Sequence, residues 1–139
     1  MQKDMTRDAC YILFFVIHYS WLHVSVKIGE HRLENESGGQ DMLRIGMLTS
    51  GGDCQALNAA MRGVAKTILN NQKDVEIYGF LEGYRGLIYS NFTMLTGKDF
   101  SGILTEGGTI LGTSRTPFKT ITDPDENGLD KVEAMKQNY

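Results

Sequence analysis

The stretch "LTSGGDCQALNAAMRG", residues 48–63, decides how this chain is read. It joins a compact apolar run, "MLRIGMLT" at residues 42–49, to a segment with helical spacing. The run has the length and flanks of a central strand in an α/β sheet. Beyond the glycines, Leu57, Ala60, Met61, Val64 and Ile68 recur at three- and four-residue steps and line one face of a helix expected to end near Asn70. "VEIYGF" at residues 75–80 is β-branched and aromatic enough to be a second strand. Strand, helix and strand in that order predict a βαβ unit with parallel strands.

In such a sheet, ligands sit beyond the carboxyl ends of the strands. Gly51 and Gly52 fall there, and the absence of a β-carbon lets their amides approach a ligand closely. The following helix begins with unpaired N–H groups that favour an anion, so the expected occupant is a phosphate or pyrophosphate group. A plainer reading makes the glycines a simple turn and Asp53 the helix cap. The segment is neither a Walker A loop nor a GxGxxG dinucleotide loop. Asp53 repels phosphates unless a cation such as Mg²⁺ lies between them.

The second half repeats the alternation less cleanly. Residues 83–86 read as a turn, with extended arms or a short hairpin around Ser90 and Asn91. Thr96 and Asp99 have capping-box spacing, so a short helix is expected there, burying Phe100, Ile103 and Leu104 before Gly107 and Gly108 stop it. "TILGTSR" at residues 109–115 reads as a strand ending in a polar loop. "DPDENG" at residues 123–128 reads as a turn, and Asn127 as the cap of a last helix burying Leu129, Val132 and Met135. The loop at residues 107–118 again combines glycines, the hydroxyls of Thr113 and Ser114, and Arg115, which can grip phosphoryl oxygens through two parallel hydrogen bonds. Two such loops at one sheet edge make an anion site more credible than either alone.

Composition narrows the class. With 14 basic and 17 acidic residues in 139, the net charge of -3 gives no sign of a nucleic-acid surface. Cys10 and Cys54 form neither a disulfide framework nor a clustered metal site, which favours a reducing compartment. The first forty residues differ from the rest. Residues 9–17 are uninterruptedly apolar but fall short of the ~20 residues that a membrane-crossing helix needs. They lack the basic start and cleavage pattern of a secretory signal, and read as a buried strand or an unstructured, aggregation-prone arm. His18, His23 and His31 have no ligand spacing. Residues 29–41 read as a polar linker. Glycine codons at 38–39 can also spell a ribosome-binding sequence, so Met42 is an expected translation start.

Three linked segments, "IGMLTSGGDCQALNAAMRG", "IYGFLEGYRGL" and "GGTILGTSR", resemble the amino-terminal part of the phosphofructokinases that use ATP or pyrophosphate to phosphorylate fructose 6-phosphate. The resemblance covers residues 43–139. It implies a partial three-layer, Rossmann-like α/β domain with a mostly parallel sheet, residues 42–139 forming an incomplete amino-terminal domain and residues 1–41 an extension outside the family. It implies donor contacts at Gly51 and Gly52, an aromatic near the donor at Tyr84, and in Arg115 a catalytic group bridging donor and acceptor phosphates. Arg62 and Lys66 match effector-binding positions of bacterial allosteric members, although a third effector arginine expected near Gly97 has no clear counterpart, with Lys98 adjacent. On the helix, the plainer reading of that pair is a solvated face.

The same resemblance implies Mg²⁺ as cofactor, homo-oligomers at full length, a cytoplasmic place in glycolysis, and neither nucleic-acid nor membrane partners. The family's magnesium loop, its aspartate general base and most of its sugar-phosphate ligands are expected farther along than Tyr139. The isolated chain is therefore expected to be inactive, and to associate through unfinished sheet edges. Two other readings are a non-catalytic phosphate- or nucleotide-binding subunit and a membrane-attached fragment without function.

Overall fold

The structure, a computed structural model, describes residues 10–18, 21–24, 42–115 and 118–138. In chain order the elements are β1 (Cys10–His18), β2 (Trp21–Val24), β3 (Leu43–Ser50), α1 (Leu57–Asn71), β4 (Val75–Phe80), α2 (Tyr84–Ile88), β5 (Phe92–Leu95), a 3-10 turn (Ile103–Thr105), α3 (Phe118–Ile121) and α4 (Lys131–Gln137). The polar linker at residues 29–41 lies outside the described residues.

The strands form one sheet in the order β2-β1-β3-β4-β5. β1, β3 and β4 run parallel, and β2 and β5 pair antiparallel at the two edges. The α/β class is as expected, with a sheet more mixed than the sequence implies. β3 is central because its stretch at residues 45–49 carries no charge and is buried throughout. The backbone of the apolar run ahead of the linker is a strand, with Cys10 opposite Arg44 and Val16 opposite Ser50.

Alternation along β3 divides the interior in two. Met47 belongs to a core with Ile77 of β4, Met61 and Ala65 of α1, and Phe100, Ile103 and Leu111. Its neighbour Leu48 packs on the opposite face with Phe80 and Leu87, against which Met135 of α4 is laid. α1 thus covers one face of the sheet, and α2 and α4 cover part of the other.

Several local expectations are corrected. Residues 84–88 form a helix that overlaps the turn expected at residues 83–86 and continues past it. Thr96 and Asp99 do bond, the Asp99 carboxylate accepting from the Thr96 amide at 2.6 Å and its hydroxyl at 2.7 Å. They close a turn, and the only helical residues between Thr96 and Gly107 are the 3-10 turn, from which Leu104 points outward with 59% of its surface exposed. Residues 109–115 are not a strand: Gly108 and Gly112 sit at φ +80° and +67° and coil the segment across the end of the sheet. The last helix is capped by Asp130, whose Oδ1 accepts from Val132 and Glu133 at 2.9 and 3.0 Å. Asn127 instead lies in a turn organised by Asp125, and Leu129 ahead of the helix is exposed.

Candidate functional site

Three loops meet at the carboxyl ends of β3 and β4. The first is the diglycine turn after Ser50, the second joins Phe80 to Tyr84, and the third is the coil from Gly107 to Arg115. Backbone and hydroxyl groups tie them together. The Thr113 hydroxyl donates to the Gly51 carbonyl at 3.0 Å, and the Gly51 amide reaches the Ser114 carbonyl at 3.5 Å. The Glu82 amide donates to Leu111 O at 2.9 Å, while the Ser114 hydroxyl donates to Glu82 O at 2.6 Å. Thr49, fully buried, shares a 2.9 Å hydrogen bond with the Thr109 hydroxyl and donates to Gly112 O at 2.8 Å.

The consequence is a junction of two glycines and a guanidinium. Gly51 has φ +105°, a conformation that turns the chain without the strain another residue would bear. Gly52 is exposed, and a β-carbon placed on it would lie 3.8 Å from Arg115 Nη2. The structure therefore brings together the two loops that the sequence identifies separately. Arg115 is exposed, and no ion pair holds it among the described residues.

The Asp53 carboxylate lies against Gly108, where a β-carbon would be 3.1 Å from Oδ1. It does not cap α1: the cap residue is Ala56, with no side-chain bond. Tyr84 opens α2 beside the junction, half-buried, and burial pushes its hydroxyl above the usual tyrosine range. Glu82, with φ +57°, occupies a region unusual for a residue with a side chain, and its carboxylate pairs with Arg85 at 3.4 Å. A shallow open depression lined by Glu82, Arg85, Tyr89 and Asn91 lies beside this bend.

Arg62 and Lys66 are one turn apart on α1, beyond Asn58. Arg62 donates to the Phe100 carbonyl and so fastens α1 to the segment after β5. Among the described residues no group of three or more His, Cys, Asp or Glu side chains is arranged to hold a metal, and no helix is long and apolar enough to cross a membrane.

Sequence reasoning missed Thr49, Asn58 and Gly83 as residues that build this junction. Asn58 carried a readable signal: a polar residue in helical phase with Met61 and Ala65, on the face that is buried. Thr49 and Gly83 carried none, since a strand threonine and a loop glycine are ordinary until the neighbouring loop is in place.

The family model described as Phosphofructokinase matches residues 44–138. A Spirochaeta thermophila protein named ATP-dependent 6-phosphofructokinase is 54% identical over 100 residues, covering 68% of this chain and 26% of the relative. A Bacteroides thetaiotaomicron protein named ATP-dependent 6-phosphofructokinase 3 is 46% identical over 91 residues, 63% of this chain and 27% of the relative. Among solved structures, phosphofructokinase from Saccharomyces cerevisiae superposes with a TM-score of 0.53 at 30% identity, over 68% of this chain and 11% of that one. The Pichia pastoris phosphofructokinase in the T-state gives a TM-score of 0.55 at 30% identity, over 86% of this chain and 12% of that one. The chain spans about a quarter of the length of the curated relatives it matches.

Proposed function

The chain belongs to the phosphofructokinase family, and from that premise we propose that residues 42–139 supply the phosphoryl-donor part of a 6-phosphofructokinase. The site holds the phosphates of ATP or pyrophosphate for transfer to fructose 6-phosphate, giving fructose 1,6-bisphosphate. The observation that carries this reading is the approach of the Arg115 guanidinium to Gly52 across the junction of the loops. A backbone edge without side chains faces a planar fork of donors, and phosphoryl transfer is catalysed chiefly by positioning and by neutralising the equatorial oxygens.

In this reading the Gly51 and Gly52 backbone meets the donor phosphates, Tyr84 flanks the donor, and Arg115 bridges donor and acceptor. Asp53 fits a shared Mg²⁺, because that ion takes one or two carboxylates together with substrate phosphates and keeps several waters. When bound, the ion would neutralise phosphate charge beside the carboxylate. Arg62 and Lys66 are offered as a second anion site for an effector phosphate. The general base and sugar-phosphate ligands belong to other segments, so this chain binds donor without completing transfer. Full-length homo-oligomers working in cytoplasmic glycolysis complete the proposal, and the names of the relatives make ATP the first donor to test.

The test is a chimaera in which residues 44–138 replace the matching segment of the Spirochaeta thermophila relative. Steady-state rates are measured over a range of fructose 6-phosphate with ATP or pyrophosphate. An active chimaera is expected to lose on the order of 3 kcal/mol of transition-state stabilisation, about a hundredfold in kcat, on Arg115→Ala. Arg115→Lys keeps the charge but not the fork and should recover little. A folded Arg115→Ala chimaera working at the parent rate would refute the assignment.

A further inference from the structure

Loops from distant parts of a chain meet reproducibly only if something holds them in register. Among the described residues, the buried polar side chains are Thr49 and Asn58, and both direct their hydrogen bonds to the same coil, residues 106–112. Asn58 does most of this. It is 2% exposed, on the first turn of α1, six residues after Gly52. A buried amide must satisfy both its donors and its acceptor. Nδ2 donates to the carbonyls of Glu106 at 3.2 Å and Gly107 at 3.4 Å, and Oδ1 accepts from the Ile110 amide at 2.8 Å. The backbone amide of Asn58, one of the helix-start groups with no partner inside the helix, donates to Gly108 O at 3.0 Å. One residue thus grips both sides of the bend that leads to Arg115, and does so from the helix that starts just after the diglycine turn.

We propose that Asn58 is a positioning residue that acts through Arg115: it fixes where the 106–115 coil meets the diglycine turn, and so sets the guanidinium against Gly52. This rests on the reading of Arg115 as a phosphate ligand. Asn58 itself is enclosed, with its side-chain donors and acceptor already engaged by the coil. A purely structural asparagine would lower stability when replaced, and its effect on anion affinity would be independent of Arg115. A positioning asparagine has no affinity left to remove once Arg115 is gone.

The experiment uses the whole 139-residue chain, ¹⁵N-labelled, titrated with inorganic pyrophosphate in the presence of Mg²⁺. Affinity is read from the Gly52 amide and the Arg115 Nε signal. Asn58→Asp keeps the shape and the acceptor for Ile110 but turns an oxygen toward the Glu106 and Gly107 carbonyls. It is expected to weaken pyrophosphate about tenfold, the size of one or two lost hydrogen bonds. Arg115→Ala should weaken it at least as much, and the double variant no further than Arg115→Ala alone. Independent, multiplying losses overturn the proposal. If the aspartate variant does not fold, Asn58→Ser, small and still polar, carries the same cycle.

A readout without ligand separates this inference from the reading beneath it. The nuclear Overhauser contact between Gly52 and the Arg115 side chain should vanish in the Asn58 variant while contacts between β3 and β4 persist. A retained contact overturns the role of Asn58 whatever pyrophosphate does. If the Arg115→Ala chain binds pyrophosphate as the parent does, or neither binds it, the phosphate-ligand reading of Arg115 falls, and the proposal built on it falls too. The Overhauser contact then still reports whether Asn58 sets the loop geometry.

Discussion

Gly83 is held at φ +65°, and a β-carbon there would lie 2.6 Å from the Thr49 carbonyl oxygen and 3.5 Å from the Ser114 amide. The three loops of the junction therefore close on a residue whose missing side chain makes room for backbone. Gly83→Ala adds an unfavourable dihedral to a contact that backbone cannot easily relieve. We expect a loss of about 3 kcal/mol in chemical denaturation, from strain and overpacking together. A second residue-scale outcome concerns Asp125. Backbone amides of Leu129 and Asn127 and the Tyr89 hydroxyl donate to its carboxylate and hold its pKa below the ordinary carboxylate value, while the same 3.0 Å bond holds the Tyr89 hydroxyl above its own. A depressed carboxylate pKa means that the turn is favoured above the unfolded value, near ~4, and loses that support as pH falls through the folded value. Carboxyl ¹³C titration should place Asp125, like the similarly bonded Asp99, below the ordinary aspartate value, and Tyr89→Phe should move Asp125 upward.

Among the elements, α4 is short and depends on its start. Asp130 receives two amides of the first turn, and the helix has seven residues in which to form. Asp130→Ala should cost about 1 kcal/mol by denaturation, and Met135 should lose its packing on Phe80 and Leu87, visible as narrowed methyl chemical-shift dispersion. This element also shows where sequence reading stops. The periodicity of α1 and the β-branched run of β4 are local signals, and their positions follow from the sequence almost to the residue. Asn127 and Asp130 are both good caps, and the choice between them was made by the Asp125 turn, whose bonds to residues 127 and 129 absorb the first candidate. α2 was hidden because two glycines in five residues read as a turn, although Gly86 lies inside a helix too close to Leu81 and Asn91 for any side chain. The segment at residues 109–115 looked like a strand because it is apolar at its start. Its carbonyls and amides are instead claimed by Thr49, Asn58 and Glu82, partners that lie 29 to 63 positions away in sequence. Gly51, Gly52 and Arg115 were legible as anion-binding types; the residues that hold them together were not.

At the scale of the molecule, β1 governs one edge of β3. It covers that strand from Arg44 to Ser50, ending beside the diglycine turn. Proline in a strand removes a ladder donor, and adjacent residues point their amides in opposite directions. Of Ile12→Pro and Leu13→Pro, at least one must therefore break the β1–β3 ladder. That variant should speed hydrogen exchange along residues 43–50 and raise self-association measured by light scattering, because an uncovered strand edge invites another chain. Unchanged exchange in both variants would contradict the pairing.

Met47 and Leu48 stand next to each other on β3 and belong to different cores, and Thr49, on the side of Met47, fastens the coil that carries Arg115. The strand consequently behaves like a reading frame. Inserting or deleting one residue ahead of Met47 would exchange the contents of the two interiors and swing the threonine hydroxyl to the wrong side, however conservative the residue added. Here the count of residues is under tighter constraint than their chemistry. Length changes should be rejected within residues 45–50.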